Sequence, residues 1–482
     1  MDATPRATMR LLTNLCSAVA TLAAVLPLAA DYPIVSHRFL ADPAAMVHDG
    51  RVYLYCSNDE DNALEGDYNM KSLVCVSSTD LKNWTDHGEV LRVPAEAAWA
   101  THAWAPAAIA RNGRFYLYFA NNASGIGVAS SMDPVGPFTD ARSGALINAS
   151  TPGVLPATNI WIFDPAVFID DDGQAYLYFG GNGASNVRII RLNQDMISTS
   201  GSAMALTVPN FFEAAWMHKR DGVYTFSYST TPAAGMRIDY LTGPSATGPF
   251  THRGIVAGQP PHNNNNNHAA IFEFKGAWYH VYHNRIVATQ AGIPPVYRRN
   301  LGIEALAYEA DGSIRTVTYT PDGVAQVHAV DPYAQVEAEM MHAQSGIRTT
   351  PCTEGGMQVS SIDAGDWVQV RGVDFGARGA LTFEARTFAS ASSGSIEVRL
   401  DSPSGPVLGT CAVAAGGGAD AWQTGSCAVS AATGLHDVYL VFRGTGADLF
   451  HLNWWRFEEL PVPPQILADP RSLTIPTGRR IS

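Results

Sequence analysis

Past its first thirty residues this chain has no apolar run long enough to cross a bilayer, and it is short of positive charge. Its 31 lysines and arginines stand against 44 aspartates and glutamates in 482 residues, a formal net charge of −13. Nucleic acid and anionic membrane both ask for a basic face, so the balance argues against either as a partner. A neutral or weakly charged partner fits better. Cysteine is scarce too, six in all, and in no spacing that suits zinc. There is no glycine-rich phosphate cradle and no nucleophile elbow, and nothing asks for an organic cofactor. Long segments with the period of an amphipathic helix are missing from the first 330 residues, which makes an α/β fold a weak reading.

What is present begins with an export signal. Arg6 and Arg10 precede an apolar run from Leu11 to Leu28, and Ala29 and Ala30 stand before Asp31. Thr13, Asn14, Ser17 and Thr21 interrupt the run, unlike a membrane anchor. The mature chain is expected to start near Asp31 and to work outside the cytoplasm, Cys16 leaving with residues 1–30. In such a compartment Cys56 with Cys75, on two successive strand-like runs, and Cys411 with Cys427, flanking a glycine-rich connection, are expected disulfides, with Cys352 left over. Buried thiols are the alternative for each pair.

One pattern recurs five times: a polar residue, small or proline residues, an apolar stretch, a turn with glycine, then an alternating aromatic strand. The copies are DPAAMVHDGRVYLYCSN from Asp42, WAPAAIARNGRFYLYFANN from Trp104, DPAVFIDDDGQAYLYFGGN from Asp164, EAAWMHKRDGVYTFSYST from Glu213 and HAAIFEFKGAWYHVYHNR from His268. Each reads as a β-hairpin. Their spacing of about 50 to 60 residues suits four-stranded propeller blades. Residues 31–330 are therefore expected to form a five-bladed β-propeller. From Asp331 the composition shifts to Gly, Ala and Ser with short strands such as WVQVRGVDFG, ALTFEART and SIEVRLD, the spacing of a β-sandwich (jelly-roll) over 331–459. The fold class is all-β. Residues 460–482 read as the stiff linker LPVPPQ and the first strand of a further β-domain that the chain does not complete.

In a propeller the innermost strands all start at one mouth of a central channel, so the residues opening the repeats share a funnel. Those residues are Asp42, Trp104, Asp164, Glu213 and His268. Three carboxylates with an aromatic ring and an imidazole form a constellation for acid and base work on a glycosidic bond. Taken singly, Asp42 and Asp164 precede proline and could merely start turns. Glu213, by contrast, stands between Phe211, Phe212 and Trp216, where an unpaired carboxylate is expensive. Their common phase raises all five together. The run of five asparagines at 263–267 enters the fifth repeat just before its funnel residue, so Asn267 is expected on the rim. Asp170, Asp171 and Asp172 lack calcium-loop spacing and read as a solvated turn. Asn83, Asn122 and Asn148 stand in glycosylation sequons.

These motifs, with LADPAAMVHDG, YNMKSLVCVSSTDLKNWTDHG, FDPAVFIDDDGQAYLYFGG and NHAAIFEFKGAWYHVYHNR, resemble glycoside hydrolase family 43 over residues 31 to 330, particularly its arabinoxylan arabinofuranohydrolases and β-xylosidases. The resemblance implies a five-bladed propeller and hydrolysis by single displacement with inversion. It assigns Asp42 as general base, Glu213 as general acid and Asp164 as the residue that orients the acid and raises its pKa. Trp104 and His268 match sugar-subsite positions, and Arg298 or Arg299 in VYRRN matches a subsite arginine. The family usually has proline two residues after the acid; Ala215 stands there, a modest loosening. No cofactor is implied for catalysis.

Residues 333 to about 458 resemble a family 6 carbohydrate-binding module through YAQVEAEMM, IDAGDWVQVRGVDFG, SIEVRLDSPSGPVLG and FHLNWWRF. Such modules carry a structural calcium bound partly by the glutamates of EAE, here Glu337 and Glu339. His451 and Asn453 replace the usual asparagine and aspartate, and Gly425 replaces a tryptophan, which removes a sugar-stacking platform. The expected protein is thus a secreted glycosidase acting on plant cell-wall polysaccharide or oligosaccharide, an α-L-arabinofuranosidase on arabinoxylan or arabinan before all. β-Xylosidase, exo-galactanase and, in a different class, a non-catalytic glycan-binding propeller are the alternatives. Retention of Asp42, Asp164 and Glu213 argues against the last.

Overall fold

The computed structural model describes residues 33–61, 68–263, 265–389, 393–416 and 420–461. The expected export signal, Cys16 and the segment after Pro461 lie outside the described residues. The structure is almost entirely β: among the described residues the α-helix is a single turn, Ile286–Gln290. Residues 40–306 form five antiparallel sheets in chain order, opened by strands Leu40–His48, Trp104–Arg111, Ala166–Ile169, Phe211–Arg220 and Ala269–Phe274. Each opening strand touches the next, and the fifth returns to the first.

Alternation along the strands explains how the sheets hold together. Successive side chains leave opposite faces, so Leu54 joins Val281 in a core between the first and fifth sheets, and its neighbour Tyr55 joins Phe119 between the first and second. Tyr118 and Leu177 then fill the gap between the second and third sheets, Tyr178 and Phe226 the next, and Tyr240 and Tyr282 the last. Four of the hairpins turn on Asp49-Gly50, Asn112-Gly113, Asp221-Gly222 and Lys275-Gly276, with both residues of each pair at positive φ. That is the type I′ geometry whose twist matches the strands it joins. The Asp-Asp-Gly hairpin is wider: the Asp170 N–H donates to the Gln174 carbonyl (2.9 Å), and the Asp170 carboxylate accepts from Lys219 Nζ (2.9 Å) and the Tyr224 hydroxyl (2.6 Å).

Register overturns one expected disulfide. Cys75 stands opposite Tyr55 and Cys56 opposite Val74, one step apart. With a side-chain period of two, that step sends the thiols to opposite faces, Cys56 toward the fifth sheet and Cys75 toward the second. Both are free and buried, as is Cys352, whereas Cys411 and Cys427 are bonded. Closing a separation of 16 residues is expected to stabilise the fold by about 3 kcal/mol. Urea denaturation of the C411A/C427A variant should show that loss, and a thiol reagent should label Cys56 and Cys75 only as the chain unfolds.

Residues 336–459 form two facing sheets around a core that includes Phe383, Phe442 and Trp455. This part is stitched to the first sheet. Met340 and Met341 pair with Thr85 and Trp84, adding a fifth strand to it. Buried Asp86 accepts from His37 Nε2 (3.0 Å), Arg38 Nε (2.7 Å) and Thr349 Oγ1 (2.6 Å), opposing ends of the same seam. Asn83, the first sequon residue, is buried there and exchanges two hydrogen bonds with the Arg371 backbone. Its amide is closed to glycosylation in the folded chain.

Candidate active site

Three of the five opening strands are bulged where they begin, whereas Ala166–Ile169 and Ala269–Phe274 pair regularly from their first residue. Register shifts fall at Ala41/Ala44, Trp104/Ala107, Phe211/Glu213 and Glu213/Trp216. Asp42 and Asp164 have φ of 53° and 48°, and Ala105 and Ala214, directly after Trp104 and Glu213, have 39° and 61°. Each such backbone costs about 1–3 kcal/mol and persists only where its surroundings over-determine it. A bulge re-aims the side chain at the strand end. Here the result is one cavity of about 370 Å³ lined by Asp42, Trp104, Asp164, Glu213, His268 and Arg299.

The three carboxyls in it are held in different states. Asp42 Oδ1 accepts from Arg299 Nη1 (2.6 Å) and Oδ2 from Ser57 Oγ (2.8 Å). Burial, the largest single influence, would push Asp42 up, but the Arg299 guanidinium together with the His283 and His268 rings outweighs it and holds the carboxyl well below the usual range. Among the described residues no cation pairs with Glu213. Burial first, then the charges of Asp164 and Asp42, push it well above the ordinary carboxylate range. Asp164 is raised by the same causes, burial and then Asp42, while its Oδ2 accepts the Ala214 backbone N–H (2.9 Å), which ties it to the residue after Glu213. His268 Nδ1 lies 3.6 Å from Asp42 Oδ1 and 3.8 Å from Asp164 Oδ2, and burial keeps the ring neutral, its pKa down at about 4. The cavity therefore sets one carboxyl that favours its ionised, accepting form beside two whose surroundings favour the protonated, donating form.

Several supporting residues had no repeat position to announce them. Asp59 grips Arg299 with both oxygens (2.8 Å each) and also takes its backbone N–H (2.9 Å), so Arg299 is clamped between two aspartates. His283 accepts the Asp42 N–H at Nδ1 (3.3 Å). Tyr68 packs edge-on against Trp104 at 6.3 Å, and Trp161 against Phe212 at 5.6 Å, giving the cavity two aromatic walls. The Trp104 indole N–H is buried without a partner among the described residues. Two expected residues fall elsewhere. Asn267 is buried behind the cavity with its amide on the Met236 carbonyl (3.1 Å), and the members of the asparagine run that line the cavity are Asn265 and Asn266. Arg298 points away, donating to the Pro294 carbonyl (2.8 Å). Ala215 is buried in the core between the third and fourth sheets.

Glu337 and Glu339 lie apart from this site, in a cleft of about 530 Å³ shared with Glu354, Asn453 and Thr85. Glu339 is buried, one carboxyl oxygen has no partner among the described residues, and burial pushes its pKa to about 9. Such an oxygen fits a hard cation, although among the described residues no group of three or more His, Cys, Asp and Glu stands close enough to hold a metal. Asn453 donates instead to Glu354 (3.0 Å), which is ion-paired with Arg386.

The family model described as glycosyl hydrolases family 43 matches residues 31–314, more than half of the chain. The chain belongs to that family. The model for carbohydrate binding module family 6 matches residues 337–459. An arabinoxylan arabinofuranohydrolase of Paenibacillus polymyxa is 39% identical over 473 residues, covering 88% of this chain and 74% of that one. A xylosidase/arabinosidase of Bacteroides ovatus is 32% identical over 334 residues, 59% of this chain and 96% of that one. Among solved structures, a family 43 arabinoxylan arabinofuranohydrolase from Bacillus subtilis, in complex with cellotetraose, superposes with a TM-score of 0.83 at 39% identity over 90% of this chain and 98% of its own. As a family 43 member this protein is a glycosidase.

Proposed function

We propose that this glycosidase removes α-L-arabinofuranosyl groups from arabinoxylan or arabinan by a single displacement with inversion. The observation that carries the reading is the opposed state of two carboxyls in one buried cavity: Asp42 kept ionised by Arg299, Glu213 kept protonated by burial and by its acidic neighbours. Asp42 takes a proton from a water as its oxygen attacks the anomeric carbon. Glu213 gives its proton to the glycosidic oxygen as that bond breaks, and solvent exchange afterwards returns both groups to their starting states. Asp164, bound to the Ala214 N–H, fixes the segment carrying Glu213 and holds its pKa up. Trp104 and His268 line the sugar subsite, and the orphaned Trp104 N–H is suited to a sugar hydroxyl. Arg299 serves through Asp42 more than by direct contact.

In this reading the five sheets are the blades of one propeller over residues 31–330, residues 331–459 are a separate sandwich, and residues 1–30 export the protein. A structural calcium at Glu337 and Glu339 would neutralise the buried Glu339. The relative named xylosidase/arabinosidase favours a second reading, removal of β-D-xylosyl units, by the same groups. The deciding experiment incubates the mature chain with arabinoxylan, 4-nitrophenyl α-L-arabinofuranoside and the β-D-xyloside, and follows the first-formed anomer by NMR. Arabinose of inverted configuration, absent with Glu213→Gln, is the expected result. Xylose alone selects the second reading, a retained anomer overturns the mechanism, and binding without release from any of the three overturns the choice of substrate.

A further inference from the structure

The run Asn263–Asn267 carries a feature that the three carboxyls do not explain. Directly behind it Arg285 is buried, and among the described residues its donors meet only neutral oxygens: Nε the Val296 carbonyl (3.0 Å), Nη1 Asn263 Oδ1 and Nη2 Asn266 Oδ1 (2.8 Å). A buried guanidinium with no carboxylate to meet is costly, and what it does here is choose amide orientations. An asparagine side chain has an accepting and a donating end. Asn266 Oδ1 takes Arg285 and, at 3.4 Å, the Tyr68 hydroxyl, which in turn accepts from Asn265 Nδ2 (3.3 Å). Its accepting end is thereby filled from behind, which leaves the donating end for the cavity it lines together with Glu213, where its N–H favours the charged form of that carboxyl. The backbone is pinned as well: the Asn266 carbonyl accepts from His283 Nε2 (3.0 Å) and Asn263 Nδ2 (2.9 Å). His283 is the same ring that takes the Asp42 N–H.

We propose that Arg285 and Asn266 are positioning residues for the proton donor: the guanidinium holds the Asn266 oxygen so that its amide N–H points at the Glu213 carboxyl and fixes the direction in which the proton is delivered. This rests on the reading of Glu213 as general acid. The charged and titratable groups facing Glu213 are Asp164, Asp42, Arg299 and Tyr68, with His268 across the cavity. Against that background the amide favours the carboxylate form. Removing it raises the Glu213 pKa further, so the alkaline limb of the rate profile moves to higher pH.

The test compares Asn266→Ala, the isosteric Asn266→Asp, Arg285→Lys and Glu213→Gln in the full chain. Two substrates are used: arabinoxylan, whose leaving oxygen needs a proton, and 2,4-dinitrophenyl α-L-arabinofuranoside, whose leaving group departs without one. For Asn266→Ala a loss in kcat on the order of tenfold to a hundredfold on arabinoxylan is expected, at least about tenfold larger than on the dinitrophenyl substrate. KM should change little and the alkaline limb should rise. Arg285→Lys, which keeps the charge but cannot fork to two amides, should fall between it and the parent. Equal losses on both substrates, a rise in KM alone, or an unmoved alkaline limb in a variant with the parent's thermal midpoint would overturn the proposal. If Asn266→Ala unfolds, Asn266→Asp decides by the same criteria. Arabinoxylan turnover surviving in Glu213→Gln would instead remove the general acid itself, an outcome separate from any result at Asn266.

Discussion

Asp42→Asn is expected to lower kcat on arabinoxylan by roughly 10²–10⁴-fold, the usual contribution of a positioned general base, with little change in KM or in the thermal midpoint. The size of the loss follows from what the substitution leaves intact. An asparagine occupies the same volume; its oxygen can accept from Arg299 where Oδ1 stands, and its NH2 then meets the Ser57 hydroxyl, which can accept. Arg299 keeps both oxygens of Asp59, so it is not released into the core. What disappears is the anionic acceptor for the proton of the attacking water. With that charge gone, Glu213 and Asp164 lose one of the neighbours that push them up, and the alkaline limb should move to lower pH. Steady-state rates across pH with circular dichroism melts check this. A folded variant within about threefold of the parent would remove Asp42 from the proton path.

The funnel residues were legible in sequence because the repeat carries its own ruler. A hairpin turn such as Asn112-Gly113 marks the end of each opening strand, and counting back from it lands on Asp42, Trp104, Asp164, Glu213 and His268. Periodicity could go no further than the strands. Asp59 lies just past the second strand of its sheet, in a three-residue turn, and Tyr68 in a connection with no repeat phase. Nothing local tells that they meet Arg299 and Trp104 of the neighbouring sheets. Of the asparagine run the sequence reading puts Asn267 on the rim, but which amide turns inward depends on Arg285, 19 residues from Asn266 in sequence. Cys56 and Cys75 failed for a finer reason: two successive strands were recognised, and the pair register that separates their faces was not.

Arg299 is where stability and catalysis meet, and Arg299→Met is expected to damage both. Its guanidinium is the partner of two buried carboxylates, and removing one member of a buried ionic cluster typically costs about 3–5 kcal/mol because the rest stay charged and unpaired. In the parent, the depressed Asp42 pKa contributes stability that is complete above the unfolded value near ~4 and is lost only as pH falls through the lower folded value. In the variant burial loses its largest opponent, only the His283 and His268 rings remain against it, and the sign is expected to invert. Asp42 then has a folded pKa above its unfolded one, destabilises the neutral protein, and is relieved as pH falls and the proton binds. The gap in unfolding free energy between variant and parent should thus narrow between pH 7 and pH 4, while the acidic limb of turnover moves upward because the base is protonated over more of the range. Urea denaturation at the two pH values measures the first effect and initial rates the second. A gap that stays constant with pH would mean that Arg299 supports the fold by packing its stem rather than by its charge, and the ionised state of Asp42 would then need another source.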